Sequence, residues 1–155
     1  MNWEIAGALG EILGALAVVA SLLYLGTQVR TQNRESRIAA VHEISEAYRV
    51  TLGSLHDVDN ADLWVKAIDD FDSLSPAERM RFIALTMCIV KVFEEAFYQV
   101  QADRFDEHYW QGMLAQYVDF MSTESAKKIW ELRGHEFGEE FRLFTENLRD
   151  GDYRL

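Results

Sequence analysis

The sequence contains little that would interrupt a helix and little that could cross-link the chain. Among its 155 residues there are one proline, nine glycines and one cysteine. Proline removes a backbone donor and breaks helix interiors, so a chain with a single proline can hold long helices. The lone Cys88 excludes an intrachain disulfide framework, which is typical of small secreted domains. The composition therefore predicts a helix-rich protein that needs no oxidising compartment.

The common sequence motifs of catalysis are missing as well. The chain has no P-loop, no G-x-G-x-x-G, no G-x-S-x-G and no Cys/His cluster with metal-ligand spacing. Glu94 and Glu95 invite comparison with di-metal sites in helical bundles, but neither has a histidine three residues on. A solvated or salt-bridged helix face is the favoured interpretation of this pair, and Cys88 is interpreted as a small core residue. We therefore expect no enzyme activity, no metal and no cofactor.

After the first 37 residues, acidic residues outnumber basic ones by 23 to 12. The formal net charge is −11, and residues 1–37 contribute three glutamates and three arginines. The whole excess of negative charge therefore lies in the remainder of the chain. Nucleic acid is not an expected partner, because its phosphates require a basic surface.

What the sequence does have is a long apolar run at its beginning. Residues from Ile5 to Val29 are apolar or small almost throughout, with Glu11 as the one charge. About 20 apolar residues suffice to cross a bilayer. The run predicts a transmembrane helix within residues 1–29, followed by an acidic helical domain over residues 30–155. A buried core helix and a cleaved signal peptide are the alternatives, and Glu4 stands where a signal peptide would carry a basic residue.

The flanks of this run indicate an orientation. No lysine or arginine precedes it, and three arginines follow it at helical spacing: Arg30, Arg34 and Arg37. The positive-inside rule then predicts a single-pass protein with its N-terminus outside and its acidic domain in the cytoplasm. The same arginines are expected to contact lipid headgroups.

Small residues recur along one face of the predicted span: Gly7, Gly10, Gly14, Ala17 and Ser21. Small residues let helices approach closely in lipid, so this seam predicts a homo-oligomer assembled through the N-terminal helix. Glu11 would lie at or beside the interface, or in the outer headgroup zone if the protein is a monomer. If the helices surround a pore, a ring of Glu11 carboxylates would favour cations.

The rest of the chain predicts a bundle of helices. Helical periodicity continues past the arginines to about Leu55. Further helices are expected over Ala61–Phe71, from Pro76 to about Ala102, over Asp106–Met121, from a cap at Ser122 or Thr123 to Arg133, and over about Phe137–Leu148. Ser75-Pro76-Ala77-Glu78 has the pattern of a capping box. The fold class is all-α, an N-terminal transmembrane helix that continues into a cytoplasmic antiparallel helical bundle.

Several segments resemble a widespread group of small bacterial membrane proteins of uncharacterised activity. They are W-E-I-A-G-A-L-G-E-I-L-G-A-L-A-V-V, Y-L-G-T-Q-V-R-T-Q-N-R, S-L-S-P-A-E-R-M-R-F, F-E-E-A-F-Y-Q and H-E-F-G-E-E-F-R. The resemblance implies this architecture and the bacterial inner membrane, and it implies no activity. Within F-E-E-A-F-Y-Q, the side chains of Glu94, Tyr98 and Gln99 form either a polar packing network or a ligand-binding pocket.

Three functions follow as expectations. The leading one is a membrane-anchored homo-oligomer with a structural or interaction role, whose partners are membrane lipid and further copies of the chain. The second is a cation-conducting channel with Glu11 in its pore. The third is a cytoplasmic ligand sensor that uses the region from Glu94 to Gln99.

Overall fold

The computed structural model describes residues 3–148, and the side chains of that range apart from residues 3–6 and 8. The ends of the two predicted domains, residues 1–2 and 149–155, lie outside this description. Within it the chain forms helices without strands, which confirms the all-α prediction and the long N-terminal helix followed by a helical domain. The helices are α1 (Trp3–Gly53), α2 (Val58–Asp69), α3 (Pro76–Gln101), α4 (Glu107–Met121), α5 (Glu124–Arg133) and α6 (Glu139–Glu146).

The chain divides into two units, Met1–Arg37 and Ile38–Leu155. In the first unit the described residues belong to α1 alone. Its hydroxyl groups bond to the helix's own backbone: Ser21 Oγ donates to the Ala17 carbonyl at 2.8 Å, and Thr27 Oγ1 to the Tyr24 carbonyl at 2.7 Å. These polar side chains are therefore satisfied within a single helix.

The second unit is built around α3, whose inward face is apolar. Phe82, Phe93 and Ala96 are almost completely buried. Aromatic rings from α4 and α6 pack on this face, with the Phe93 and Tyr117 ring centroids 4.7 Å apart. Tyr117 Oη lies 3.0 Å from Thr145 Oγ1, and burial raises the pKa of Tyr117 above its usual range. The buried phenol of Tyr117 thus has a hydrogen-bond partner within the core.

The predicted capping box is confirmed at the start of α3. The Glu78 amide donates to Ser75 Oγ at 3.3 Å, and the Ser75 amide donates to Glu78 Oε2 at 2.8 Å. Lys66 Nζ donates to Glu78 Oε1 at 2.8 Å. Hydrogen bonds from Lys66 and Ser75 lower the pKa of Glu78 to about 2. This carboxylate therefore links α2 to the first turn of α3.

Two helix boundaries differ from the predicted ones. The second helix begins at Val58 instead of Ala61, because Asp57 accepts from the Asn60 amide and acts as its N-cap. The last helix is shorter than predicted: residues Gly134–Glu136 form a separate 3₁₀ turn, and Gly138 is the N-cap of α6. The side-chain cap therefore decides where α2 begins, whereas Gly138 makes no side-chain cap hydrogen bond at the start of α6.

The interpretation of Cys88 as a core residue is wrong, because Cys88 is exposed. Leu132, an apolar residue of α5, is 54% exposed. Conversely Ile44, which the periodicity argument did not select, is 1% exposed. Cys88 lies on α3, which is apolar on nearly every side, so sequence alone does not indicate which of its faces meets the core.

Candidate functional site

The large apolar side chains of the first unit are exposed to an unusual degree. Each lies between 52% and 69% exposed, and they are Leu9, Ile12, Leu13, Leu16, Val18, Val19, Leu22, Leu23, Tyr24, Leu25 and Val29. By length and composition, one described helix is long and apolar enough to cross a membrane, with a mean hydropathy of 1.9 in its most apolar window. Monomeric soluble proteins rarely expose so extended an apolar surface.

The predicted small-residue seam lies on this same helix. Gly7, Gly10 and Gly14 have open space where a Cβ would stand. Glu11 is exposed and lies one helical turn from both Gly7 and Gly14, so it sits at the edge of the seam. Ala17 and Ser21 continue the seam and are also exposed. The seam therefore offers a smooth surface to a second helix.

The three arginines after the apolar segment are exposed as well. Arg30, Arg34 and Arg37 follow one another at spacings of four and three residues on α1. Such spacing places their side chains along one side of the helix. They therefore form a basic strip directly after the apolar surface.

Glu94 and Tyr98 meet the start of α6. Glu94 Oε1 accepts the Gly138 amide at 2.7 Å, and Lys91 Nζ donates to Glu94 Oε2 at 2.6 Å. A Cβ placed on Gly138 would collide with the Tyr98 hydroxyl and would lie 3.4 Å from Glu94 Oε1. These contacts fit a packing network. The interpretation as a ligand pocket stays a prediction.

Lys91 reinforces the same contact. Its Nζ lies 4.3 Å from the centroid of the Phe137 ring and 3.4 Å from the Glu136 carbonyl, to which it donates. Gln99, the third residue predicted here, is half-buried, and its carbonyl accepts the Arg104 amide at 2.9 Å where α3 ends. Lys91, Glu94 and Tyr98 therefore hold the segment before α6 against α3, whereas the printed contact of Gln99 lies at the end of α3 itself.

A cavity of about 270 Å³ lies elsewhere in the second unit. Side chains from α1, α2, α3 and α4 line it, together with the turn after α1: Tyr48, Leu52, Leu55, Trp64, Ile89, Phe93, Gln116, Asp119 and Phe120. Tyr48 Oη donates to Gln116 Oε1 at 2.7 Å, a bond between two lining residues. None of Glu94, Tyr98 and Gln99 lines this cavity.

Sequence reasoning missed the cavity. Tyr48 and Trp64 pack in or against the core, but nothing in their spacing along the chain relates them to Gln116 or Asp119. The sequence offers one weak indication of the cavity: tyrosine and tryptophan side chains often lie where an apolar core meets a polar group.

Within residues 3–148 no group of three or more His, Cys, Asp or Glu side chains is arranged to hold a metal ion. Comparisons with protein-family models, curated proteins and solved structures find no match for this chain. The resemblance to small bacterial membrane proteins therefore stays a prediction.

Proposed function

We propose that the protein is a membrane-anchored homo-oligomer with a structural or interaction role rather than a catalytic one. Residues 1–29 would form a single span in a bacterial inner membrane, and residues 30–155 would form an acidic cytoplasmic domain. The observation that carries the proposal is the exposed apolar surface of α1 between Leu9 and Val29.

The exposed apolar side chains of α1 carry a free-energy cost in water. Burial of one large apolar side chain is worth about 1.5–3 kcal/mol. A surface of many half-exposed leucines and valines, extending over several helical turns, would therefore destabilise a monomer in water. Lipid removes that cost, and the helix already satisfies its own backbone groups, as a membrane requires.

Self-assembly is supported by the seam. Close helix approach in lipid depends on small residues, and the seam glycines have no neighbouring atom within 4 Å of a Cβ position. Ser21 Oγ is bonded to its own helix, so its close approach to another chain would not leave a hydroxyl without a partner. The proposed interface would use Gly7, Gly10, Gly14, Ala17 and Ser21.

Membrane insertion and topology can be tested with the natural cysteine. Cys88 is the one cysteine of the sequence and is exposed, so it reports the side of the membrane on which the second unit lies. We expect the protein to stay in the membrane through a carbonate wash. We expect a membrane-impermeant maleimide to label it in permeabilised cells and not in intact spheroplasts.

The Cys88→Ser variant is the control and should stay unlabelled in both preparations. Release of the protein by carbonate would contradict the membrane anchor. Labelling in intact spheroplasts would contradict only the orientation.

Assembly through the seam can be tested by disulfide cross-linking in a Cys88→Ser background. Ser21→Cys is nearly isosteric and lies on the seam. Leu23→Cys, at about the same depth, lies roughly 160° away around the axis at 100° per residue. We expect oxidation to join two chains through position 21 and not through position 23. Equal cross-linking at both positions would indicate random collision rather than a seam.

Cation conduction is a second candidate function, and the position of Glu11 favours it. Glu11 stands beside the seam, so packing through the seam would bring the carboxylates of several copies near one axis. Purified oligomer in a planar bilayer should then conduct K⁺ in preference to Cl⁻, and Glu11→Gln should lose that preference. A wild-type oligomer that conducts nothing would rule out the channel and leave the anchor proposal standing.

A further inference from the structure

The basic strip and the small-residue seam lie on opposite sides of α1. At about 100° per residue, Arg30 is placed roughly 180° around the helix axis from Ser21, and Arg34 roughly 160° from Gly14. Both arginines and both seam residues are exposed. A second copy that packs on the seam would therefore leave Arg30 and Arg34 on the side of the helix that faces away from it.

The side of α1 that leads to the strip is apolar. Its exposed aliphatic side chains follow one another at spacings of four, three and four residues, and they are Ile12, Leu16, Val19 and Leu23. Arg30 comes seven residues after Leu23, which is close to two helical turns, so it lies on the same side. These four residues together with Arg30 and Arg34 form the outer side of α1. A phospholipid has the same order of groups, with apolar chains followed by a polar headgroup.

The two charges of the outer side are not neutralised by the protein within the described residues 3–148. Neither Arg30 nor Arg34 has a hydrogen-bond or ion-pair partner there, whereas Arg37 has an interaction partner. Glu35 is exposed and follows Arg34 directly, and adjacent positions of a helix do not face each other. Arg30 and Arg34 therefore remain as positive charges that solvent or a ligand has to balance.

The spacing of Arg30 and Arg34 suits a phosphate group. Residues four apart on a helix have Cβ atoms about 5–6 Å from each other, so two long side chains can reach the same group. The planar guanidinium fork matches phosphate oxygens in a bidentate manner. Phosphatidylglycerol has a net negative headgroup, whereas choline neutralises the phosphate of phosphatidylcholine. Two arginines should therefore prefer the anionic lipid.

We propose that the outer side of α1 binds an anionic phospholipid, with the acyl chains along residues 12–23 and the headgroup phosphate against Arg30 and Arg34. This inference rests on the proposed membrane anchor and adds to it a lipid class and a binding surface. The net charge of the chain, −11, favours the opposite preference, because like charges repel. A preference for anionic lipid therefore reports the outer side and not the charge of the whole protein.

A fluorescent label on the outer side tests the proposal. Leu23→Cys in a Cys88→Ser background carries a bimane group about 10 Å along the axis from Arg30, where acyl chains would lie. The full-length protein is reconstituted in phosphatidylcholine bilayers that contain increasing fractions of brominated phosphatidylglycerol or, separately, of brominated phosphatidylcholine. Bromine atoms in the acyl chains quench the label on contact. We expect the quenching to give an affinity at least threefold higher for phosphatidylglycerol.

The outcome separates the lipid-binding surface from the membrane anchor. Equal affinities for the two brominated lipids would overturn the proposal and leave the anchor standing. A label that neither lipid quenches would contradict the anchor itself, and the lipid-binding surface with it.

Paired variants locate the charges that recognise the lipid. Arg30→Gln/Arg34→Gln should lose the preference for phosphatidylglycerol. Arg49→Gln/Arg104→Gln removes the same charge from exposed positions of the second unit and should keep it. Glutamine is a good helix former, so circular dichroism in a maltoside detergent should match the wild type in both. Equal loss of the preference in the two pairs would show that net charge, and not the strip, selects the lipid, which would overturn the proposal.

A conservative pair guards against a structural effect of the first. Arg30→Lys/Arg34→Lys keeps both positive charges and replaces each fork by a single ammonium group. We expect it to retain at least a twofold preference for phosphatidylglycerol. Complete loss of the preference in this pair, with wild-type circular dichroism, would overturn recognition by the two charges.

A label on the seam tests which side of the helix meets the lipid. Ser21→Cys lies roughly 160° around the axis from Leu23→Cys, at about the same depth. We expect both brominated lipids to quench bimane at position 21 less than at position 23, because the seam would contact a second chain. Equal quenching and an equal lipid preference at both positions would show that anionic lipid surrounds the helix, which would overturn the assignment to the outer side.

Discussion

The Glu94 carboxylate accepts the backbone amide of Gly138 at 2.7 Å across 44 residues of sequence, and so joins α3 to the N-cap of α6. Its second oxygen accepts from Lys91 at 2.6 Å. A negative group is favourable at this position, because amides at a helix N-terminus carry partial positive charge.

Removal of the Glu94 side chain should therefore destabilise the second unit. We expect Glu94→Ala to lower the free energy of unfolding by about 1–3 kcal/mol, since a half-buried amide loses its acceptor. Glu94→Gln should cost less, because its amide oxygen can still accept from Gly138. Urea titrations of the full-length protein in maltoside, followed by circular dichroism, measure both. Equal losses of unfolding free energy in the two variants would show that the charge of Glu94, and not its ability to accept a hydrogen bond, stabilises the second unit.

The same substitution at two glycines should have opposite effects. Gly112 lies inside α4 with open space around a Cβ position, so Gly112→Ala should stabilise by about 0.5–1 kcal/mol. At Gly138 a Cβ would collide with the Tyr98 hydroxyl, so Gly138→Ala should destabilise by about 1–3 kcal/mol. Thermal unfolding of the two variants, measured in parallel with the wild type, should show a higher midpoint for Gly112→Ala and a lower one for Gly138→Ala.

Tyr98→Phe provides the matched rescue for Gly138→Ala. It removes the colliding oxygen and leaves Cζ, which would lie 3.3 Å from the new Cβ. Gly138→Ala should therefore cost less stability in the Tyr98→Phe background than it costs in the wild-type protein. Purely additive losses would mean that the hydroxyl is not the obstacle.

Thr86 offers a stabilising substitution inside the core. It is 1% exposed, and among the described residues its Oγ1 has no hydrogen-bond partner. Thr86→Val should raise the free energy of unfolding by about 1 kcal/mol, because an unsatisfied hydroxyl is replaced by a methyl group. Thr86→Ser keeps the hydroxyl and loses the methyl group, so it should destabilise. A loss of stability in Thr86→Val would indicate that the hydroxyl does have a partner in solution.

Acid should weaken the contact between α2 and α3. The pKa of Glu78 falls from its usual 4.5 to about 2 through hydrogen bonds from Lys66 and Ser75. A carboxylate whose pKa is lowered by folding contributes stability that is present above pH 4.5 and is lost as the pH falls toward 2. Hydrogen bonding to Lys128 lowers the pKa of Asp72 in the same direction.

We expect Glu78→Gln to flatten the dependence of unfolding free energy on pH between 4.5 and 2, measured by urea titration at several pH values. Glu95→Gln serves as a charge-matched control. An unchanged slope in Glu78→Gln would show that Glu78 is not the titrating group. Ser75→Ala should lower stability by about 1 kcal/mol at neutral pH through loss of the cap.

Features encoded over a few residues could be predicted from the sequence. The capping box at Ser75 and the Thr123 cap of α5 each depend on neighbours within one turn. The apolar character of α1 is likewise a local property. For such features the physical cause is contained in the segment itself.

Features that depend on packing could not be predicted. The Gly138 amide is the partner of Glu94, yet no local pattern links the two. Side chains of four helices line the cavity, so its position depends on helix placement and not on spacing along the chain. Cys88 was misassigned for the same reason, because α3 is apolar on nearly every side.

The bonding pattern of the first unit has a consequence for amide hydrogen exchange. Its described backbone amides belong to one helix whose apolar side chains are exposed. A helix whose apolar side chains are exposed opens readily in water, so its amides would exchange within the shortest labelling times. In a bilayer the same amides would be protected by the scarcity of water, whereas those of α3 would owe their protection to the protein core in either environment.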